Sequence, residues 1–129
     1  MTYASPTPTL DALAVATLRQ PIEAPIRLLI VDDHPVMRAG IRAFLSAAPE
    51  LEIVGEAESA DEAITQVEAL HPHMVLIDVS MPGSPVTKAI AHWRKTQPDL
   101  RTVVLSAHGD QEHIYAMLNA GALGYILKD

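Results

Sequence analysis

The sequence predicts a doubly wound α/β fold: five parallel strands in the order 2-1-3-4-5, with helices on both faces. Strand-like and helix-like segments alternate from Ile26 to Leu127, the order that gives a parallel sheet with right-handed crossovers in roughly 98% of cases. At the centre, Met74-Val75-Leu76-Ile77 is an unbroken apolar run, as expected of a strand buried on both faces. An open sheet of this size commonly takes the 2-1-3-4-5 order, which makes strands one and three neighbours.

Bulk properties bound the class. The 129 residues fit one domain with a sizeable core, and 49% hydrophobic with 19% charged residues is ordinary globular composition. Zero cysteines exclude a disulfide scaffold, a thiolate metal site and a cysteine nucleophile. A net charge of −7 argues against this segment itself gripping a nucleic-acid backbone, which needs clustered Lys and Arg. No run approaches the roughly 18 apolar residues of a membrane span. The first residues lack the basic start of a signal peptide, and Asp11 interrupts their apolar part. The expected address is the cytoplasm, with no membrane partner.

The elements follow in chain order. Residues 1–8 are small, polar and interrupted by proline, as in a loose tail. Thr9 is placed to cap a helix over 10–19, where Leu10, Leu13, Ala14, Thr17 and Leu18 share one face. Pro21 and Pro25 end it, so residues 1–25 read as an N-terminal extension closed by a proline linker. Ile26–Val31 is strand one. Pro35 sits at a first helical position, and Met37, Gly40, Ile41, Phe44 and Leu45 form the inward face of the helix it opens. Leu51–Ala57 is a more polar second strand, suited to a sheet edge. Ser59 and Glu62 form a capping box for a helix reaching about Leu70. Met74–Asp78 is strand three, and a Met81-Pro82 pair soon turns the chain out of strand geometry. A helix within 85–96 includes Ile90 and Trp93. Arg101–Ser106 is strand four, a helix over 110–120 ends at Gly121, and Gly124–Leu127 is strand five.

This topology gathers Asp32, Asp33 and Asp78 at the carboxyl ends of neighbouring strands, where open α/β sheets hold ligands. Alone, Asp78 reads equally well as a strand-ending cap. Unit charges about 4 Å apart, however, repel by roughly 4 kcal/mol at an effective dielectric near 20. Three ionised carboxylates therefore call for a proton or a cation among them. Oxygen donors favour a hard cation, and Mg²⁺ suits a site that keeps several waters. Such an ion could also take phosphate oxygens, and carboxylates do act as phosphoryl-accepting nucleophiles. Lys128, closing strand five, would balance the phosphoryl charge, and Ser106, ending strand four, could donate a hydroxyl hydrogen bond to it. The bland alternatives are a solvated strand end for Lys128 and a turn former for Ser106.

The segments Ile30-Val31-Asp32-Asp33-His34-Pro35, Ile77-Asp78-Val79-Ser80-Met81-Pro82, Leu105-Ser106-Ala107-His108 and Gly124-Tyr125-Ile126-Leu127-Lys128-Asp129 resemble a response-regulator receiver domain. The opening and closing motifs look most like receivers that precede a LuxR/NarL-type helix-turn-helix domain. The resemblance spans 26–129 and implies a flavodoxin-like receiver of a two-component system. It implies that Asp78 accepts a phosphoryl group from a sensor histidine kinase. Asp33, Asp78 and the Ser80 carbonyl would bind Mg²⁺, with Asp32 helping partly through water. Ser106 and Lys128 would contact the phosphoryl group. Tyr125 matches the aromatic switch position, following Ser106 inward and altering the surface of the fourth helix and fifth strand. The output implied is transcription, with DNA bound only through an output domain not in this chain, and a homodimer is compatible with it. Such a domain is no enzyme beyond its own phosphorylation and dephosphorylation.

The sequence departs from that pattern twice. Gly83-Ser84-Pro85-Val86-Thr87 replaces a Gly-X-Asp-Gly-like turn. Valine does not readily take the positive φ that glycine permits, so this loop should follow another course. The family's last helix is also missing after the lysine, leaving apolar sheet surface that seeks a cover. Helix 10–19 is one candidate for it. Two rivals remain. One is a phosphorylation-independent pseudo-receiver interaction module. The other is a haloacid-dehalogenase-like phosphatase, which places its second acid two residues after the nucleophile on one strand, unlike the adjacent Asp32 and Asp33. None of the six histidines forms a metal-binding helix motif, and His34 is expected to shape the strand-helix turn. Glu56, Glu58, Asp61 and Glu62 read as a solvated, cap-favouring face.

Overall fold

The computed structural model describes residues 24–79, 81, 86–106 and 118–127, with the backbone alone for Tyr125 and Leu127. The helix expected over 10–19, Ser80, most of the helix expected over 110–120, and Lys128 lie outside these residues. The elements are β1 (Ile26–Val31), α1 (Pro35–Leu45), β2 (Leu51–Ala57), α2 (Ala60–Leu70), β3 (Met74–Asp78), α3 (Val86–Thr96), β4 (Arg101–Ser106) and β5 (Gly124–Leu127). All five strands are parallel, in the order β2-β1-β3-β4-β5. The expected topology is the observed one.

Alternate residues of the central strands feed two cores. On one face Leu29, Val31, Val75, Ile77 and Val104 pack with Ala63 and Val67 of α2 and with Ala89, Ile90 and Trp93 of α3. On the other, Leu28, Ile30, Met74, Leu76, Val103, Leu105 and Ile126 pack with Ile41 and Leu45 of α1. An uninterrupted apolar run is needed because both faces of β1 and β3 are covered. Each fully buried aliphatic side chain contributes roughly 1.5–3 kcal/mol over an exposed one.

Local chemistry sets the helix ends. Pro35 opens α1, where its missing N–H costs no hydrogen bond. In α2, Ser59 Oγ accepts from the Glu62 N–H at 3.1 Å, and Glu62 Oε1 accepts from the Glu58 N–H at 2.7 Å. The reciprocal bond of the capping box thus lands one residue further back than the motif places it. His71 closes α2 in the left-handed region, at φ 49°.

One expectation changes. The inward face of α1 is narrower than its periodicity implies: Ile41 and Leu45 are buried, Met37 is half-buried, but Gly40 is exposed and Phe44 is 43% exposed. One helix face reaches a flat sheet along a narrow seam, so rim positions stay wet. Val86, inside the span 85–96 where a helix is expected, opens α3 and is buried in the core. Valine there meets a helical backbone rather than a positive φ, and residues 82–85 before it lie outside the described residues.

Candidate acid site

The site is built at the carboxyl edge of the sheet. β1 ends in a carboxylate because its apolar run stops at Val31, and the next residues turn into α1. Asp32 is fully buried there. Its N–H donates to the Ala57 carbonyl at 3.0 Å, tying the tip of β1 to the tip of β2. Asp32 Oδ1 accepts from the His34 N–H at 2.9 Å, an Asx-type turn that starts the bend. Asp33 follows with its side chain 27% exposed. Asp78, the last residue of β3, is fully buried, and Val79 then continues the edge by donating to the Leu105 carbonyl at 2.9 Å.

Ligand atoms of Asp32, Asp33, His34 and Asp78 all lie within 4.8 Å of one another. The structure therefore brings together the three acids that the sequence singles out. It adds the His34 ring, whose Nδ1 lies 3.0 Å from Asp32 Oδ1 and 2.9 Å from Asp33 Oδ1. Sequence reasoning gives His34 the turn alone; only the tightness of the Asx-type turn folds its ring back over both acids. The donor set fits a hard divalent cation. It offers convergent carboxylate oxygens on backbone ends fixed by the sheet, two of the acids shielded from water, and no thiolate.

The other expected site residues fall where the topology allows them to be placed. Ser106, the end of β4, is fully buried, one residue beyond the Leu105 that pairs with Asp78. Tyr125 stands in β5 at the register position of Val104. Leu127 pairs with Ser106, so strand five ends level with the serine. Ser80 and Lys128 lie outside the described residues.

Around the acids lies a network the sequence does not reveal. Arg38 of α1 donates from Nη1 to the Asp32 carbonyl at 2.6 Å and from Nε to Glu56 Oε1 at 2.8 Å. Arg42, one turn on, donates from Nε to Glu56 Oε2 at 2.8 Å. Gln66 of α2 donates to the Glu56 carbonyl at 2.7 Å. The Arg42 hydrogen bond, then the Arg38 one and the charge of both guanidiniums, hold the Glu56 carboxyl below its ordinary value, against an opposing push from burial. Glu56 is thus no member of a solvated acidic face. Pairing across 14 residues to Arg42 and 18 to Arg38 explains it, and no local pattern carries that signal.

Among the described residues no helix is long and apolar enough to cross a membrane. The family model for the response regulator receiver domain matches residues 28–129. The chain is 36% identical over 107 residues to the nitrate/nitrite response regulator protein NarL of Escherichia coli K12, covering 83% of this chain and 50% of that protein. It is 40% identical over 104 residues to YhcZ, an uncharacterized transcriptional regulatory protein of Bacillus subtilis, covering 81% and 49%. Among solved structures, the signal receiver domain of NarL from Mycobacterium tuberculosis superposes with a TM-score of 0.77 at 33% identity, over 82% of this chain and 86% of that one. The chain spans about half the length of these two curated relatives.

Proposed function

The chain belongs to the response-regulator receiver family, and from that premise we propose that it is a phosphoacceptor switch with Asp78 as the acceptor. The observation that carries the reading is the meeting of Asp32, Asp33 and Asp78 within one ligand-sized space at the carboxyl edge of the sheet. A buried carboxylate beside two others has no packing advantage, since burial and like charge both disfavour its ionised form. A site that takes a cation and a phosphoryl group gives that arrangement a use.

In this reading Asp33, Asp78 and the Ser80 carbonyl hold Mg²⁺, and Asp32 assists through water. The ion, when bound, neutralises charge on the phosphoryl oxygens. The donor is the phosphohistidine of a sensor kinase: its P–N bond breaks as a P–O bond forms to Asp78. Ser106 donates its hydroxyl, and Lys128 its ammonium, to the transferred group. Phosphorylation adds charge and acceptor oxygens beside these donors, and Tyr125 shifts with Ser106 to alter the surface next to β5. Residues 26–129 form the receiver and 1–25 an extension. A cytoplasmic address, a homodimer and a transcriptional output carried by a DNA-binding domain outside this chain complete the proposal. No turnover beyond loss of its own phosphoryl group is expected.

The test is labelling by a small phosphodonor with intact-mass detection. Wild type should gain one labile phosphoryl group in Mg²⁺ and none in EDTA, and Asp78→Asn should gain none under either condition. An unlabelled, folded wild type would leave a phosphorylation-independent interaction module. Sustained turnover of a phosphomonoester would instead point to a phosphatase.

A further inference from the structure

We infer that Arg38 is a positioning residue for the acid site, holding the Asp32–Asp33 peptide in place while Glu56 holds Arg38. The inference rests on the metal-binding reading above but concerns residues outside the acid cluster. A peptide group is planar, so fixing its carbonyl oxygen fixes the plane that joins two residues. Arg38 Nη1 grips the Asp32 oxygen at 2.6 Å, and the Asp32 N–H is already committed to Ala57. Asp32 is therefore held at both ends, and the direction in which Asp33 leaves the chain is set.

An ordinary surface ion pair would not do this. The Arg38 side chain is only 13% exposed, and its guanidinium divides its donors between a carboxylate and a main-chain oxygen. The planar fork holds both in one fixed geometry, which the three rotatable donors of an ammonium do not impose. Glu56 is fixed in turn, through Arg42 on its other oxygen and Gln66 on its carbonyl. The chain of contacts runs from α2 through β2 and α1 to the turn that carries two of the acids. Groups that orient metal ligands from outside typically change metal affinity by about 10- to 100-fold when removed.

Two readouts test this on the full chain. The first is amide hydrogen exchange without metal. In Arg38→Ala the His34 N–H, which donates to Asp32 Oδ1, should exchange about tenfold faster, while the Val79 N–H just beyond β3, which donates to the Leu105 carbonyl, is unchanged. The second is Mn²⁺ affinity by paramagnetic titration. It should weaken about tenfold in Arg38→Ala and less than threefold in Arg42→Ala, which frees one side of Glu56 but leaves the Asp32 carbonyl held. Arg38→Lys, which keeps the charge without the fork, should fall between and serves if the alanine variant does not fold. Unchanged His34 exchange in Arg38→Ala, or equal effects of the Arg38 and Arg42 variants, would overturn the inference. If wild type binds no Mn²⁺, the metal reading fails, and the exchange measurement alone still decides the role of Arg38.

Discussion

Glu56 shows how a single carboxylate acquires a stability role from its neighbours. Two guanidiniums hold its ionised form, so its folded-state pKa lies below the ordinary 4.5. The sign follows from linkage: a depressed carboxyl binds fewer protons folded than unfolded. Its contribution is complete above 4.5 and is lost as pH falls below that value through the folded-state one. A glutamine in its place would keep the shape but not the charge. The variant Glu56→Gln should therefore be less stable than wild type at pH 7, with the gap in denaturant midpoint closing as pH is lowered from 4.5 into the range where the folded carboxyl protonates. A gap that stays constant over that range would show that the charge is immaterial. The same residue marks a limit of sequence reading. Glu56 stands in a run with Glu58, Asp61 and Glu62 and looks like them; the partners of its carboxylate come from α1, an element earlier in the chain.

At the scale of elements, β2 and α2 are joined by a missing side chain. The pairing of β1 with β2 slips between Leu28 and Leu29, so that Leu28 faces Ile53 and Leu29 faces Gly55, with Val54 as the extra residue. Gly55 then lies under α2. A Cβ there would stand 2.6 Å from Gln66 Oε1, 2.9 Å from Leu70 Cδ1 and 3.2 Å from Leu29 Cδ1. Gly55→Ala should cost about 1–3 kcal/mol through overpacking, and a loss well below about 1 kcal/mol would mean that α2 yields freely. It should also disturb the Gln66 bond to the Glu56 carbonyl, so chemical shifts should move at Glu56 as well as in α2. The strands themselves are legible because apolar runs stop where strands stop, and this alone locates Asp32 and Asp78 at the ends of β1 and β3. Pro35 and Ser59 mark helix starts by chemistry that acts within one turn. The extra residue in β2, the exposed rim of α1 and the Arg38 bridge depend on distances between elements. No spacing in the sequence encodes those.

For the whole molecule, the sheet concentrates negative charge in a chain whose net charge is already −7. The three acids converge only once β1 and β3 are paired, because Asp78 lies far along the chain from Asp32 and Asp33. A divalent cation using all of them therefore meets its site in the folded state and not in the unfolded chain, and it must stabilise the fold by mass action. At a concentration about 100 times its dissociation constant the gain is about 2.7 kcal/mol. For a domain of this size that corresponds to a rise in Tm of roughly 10 °C. Wild type should show such a rise in Mg²⁺ and lose it in EDTA. In Asp78→Asn the rise at the same Mg²⁺ concentration should fall to less than half, because one fixed oxygen ligand has lost its charge. General screening of the acidic surface would behave differently: NaCl at matched ionic strength would reproduce the shift, and the variant would respond as wild type does. Equal responses to the two salts would remove the cation from the proposed site.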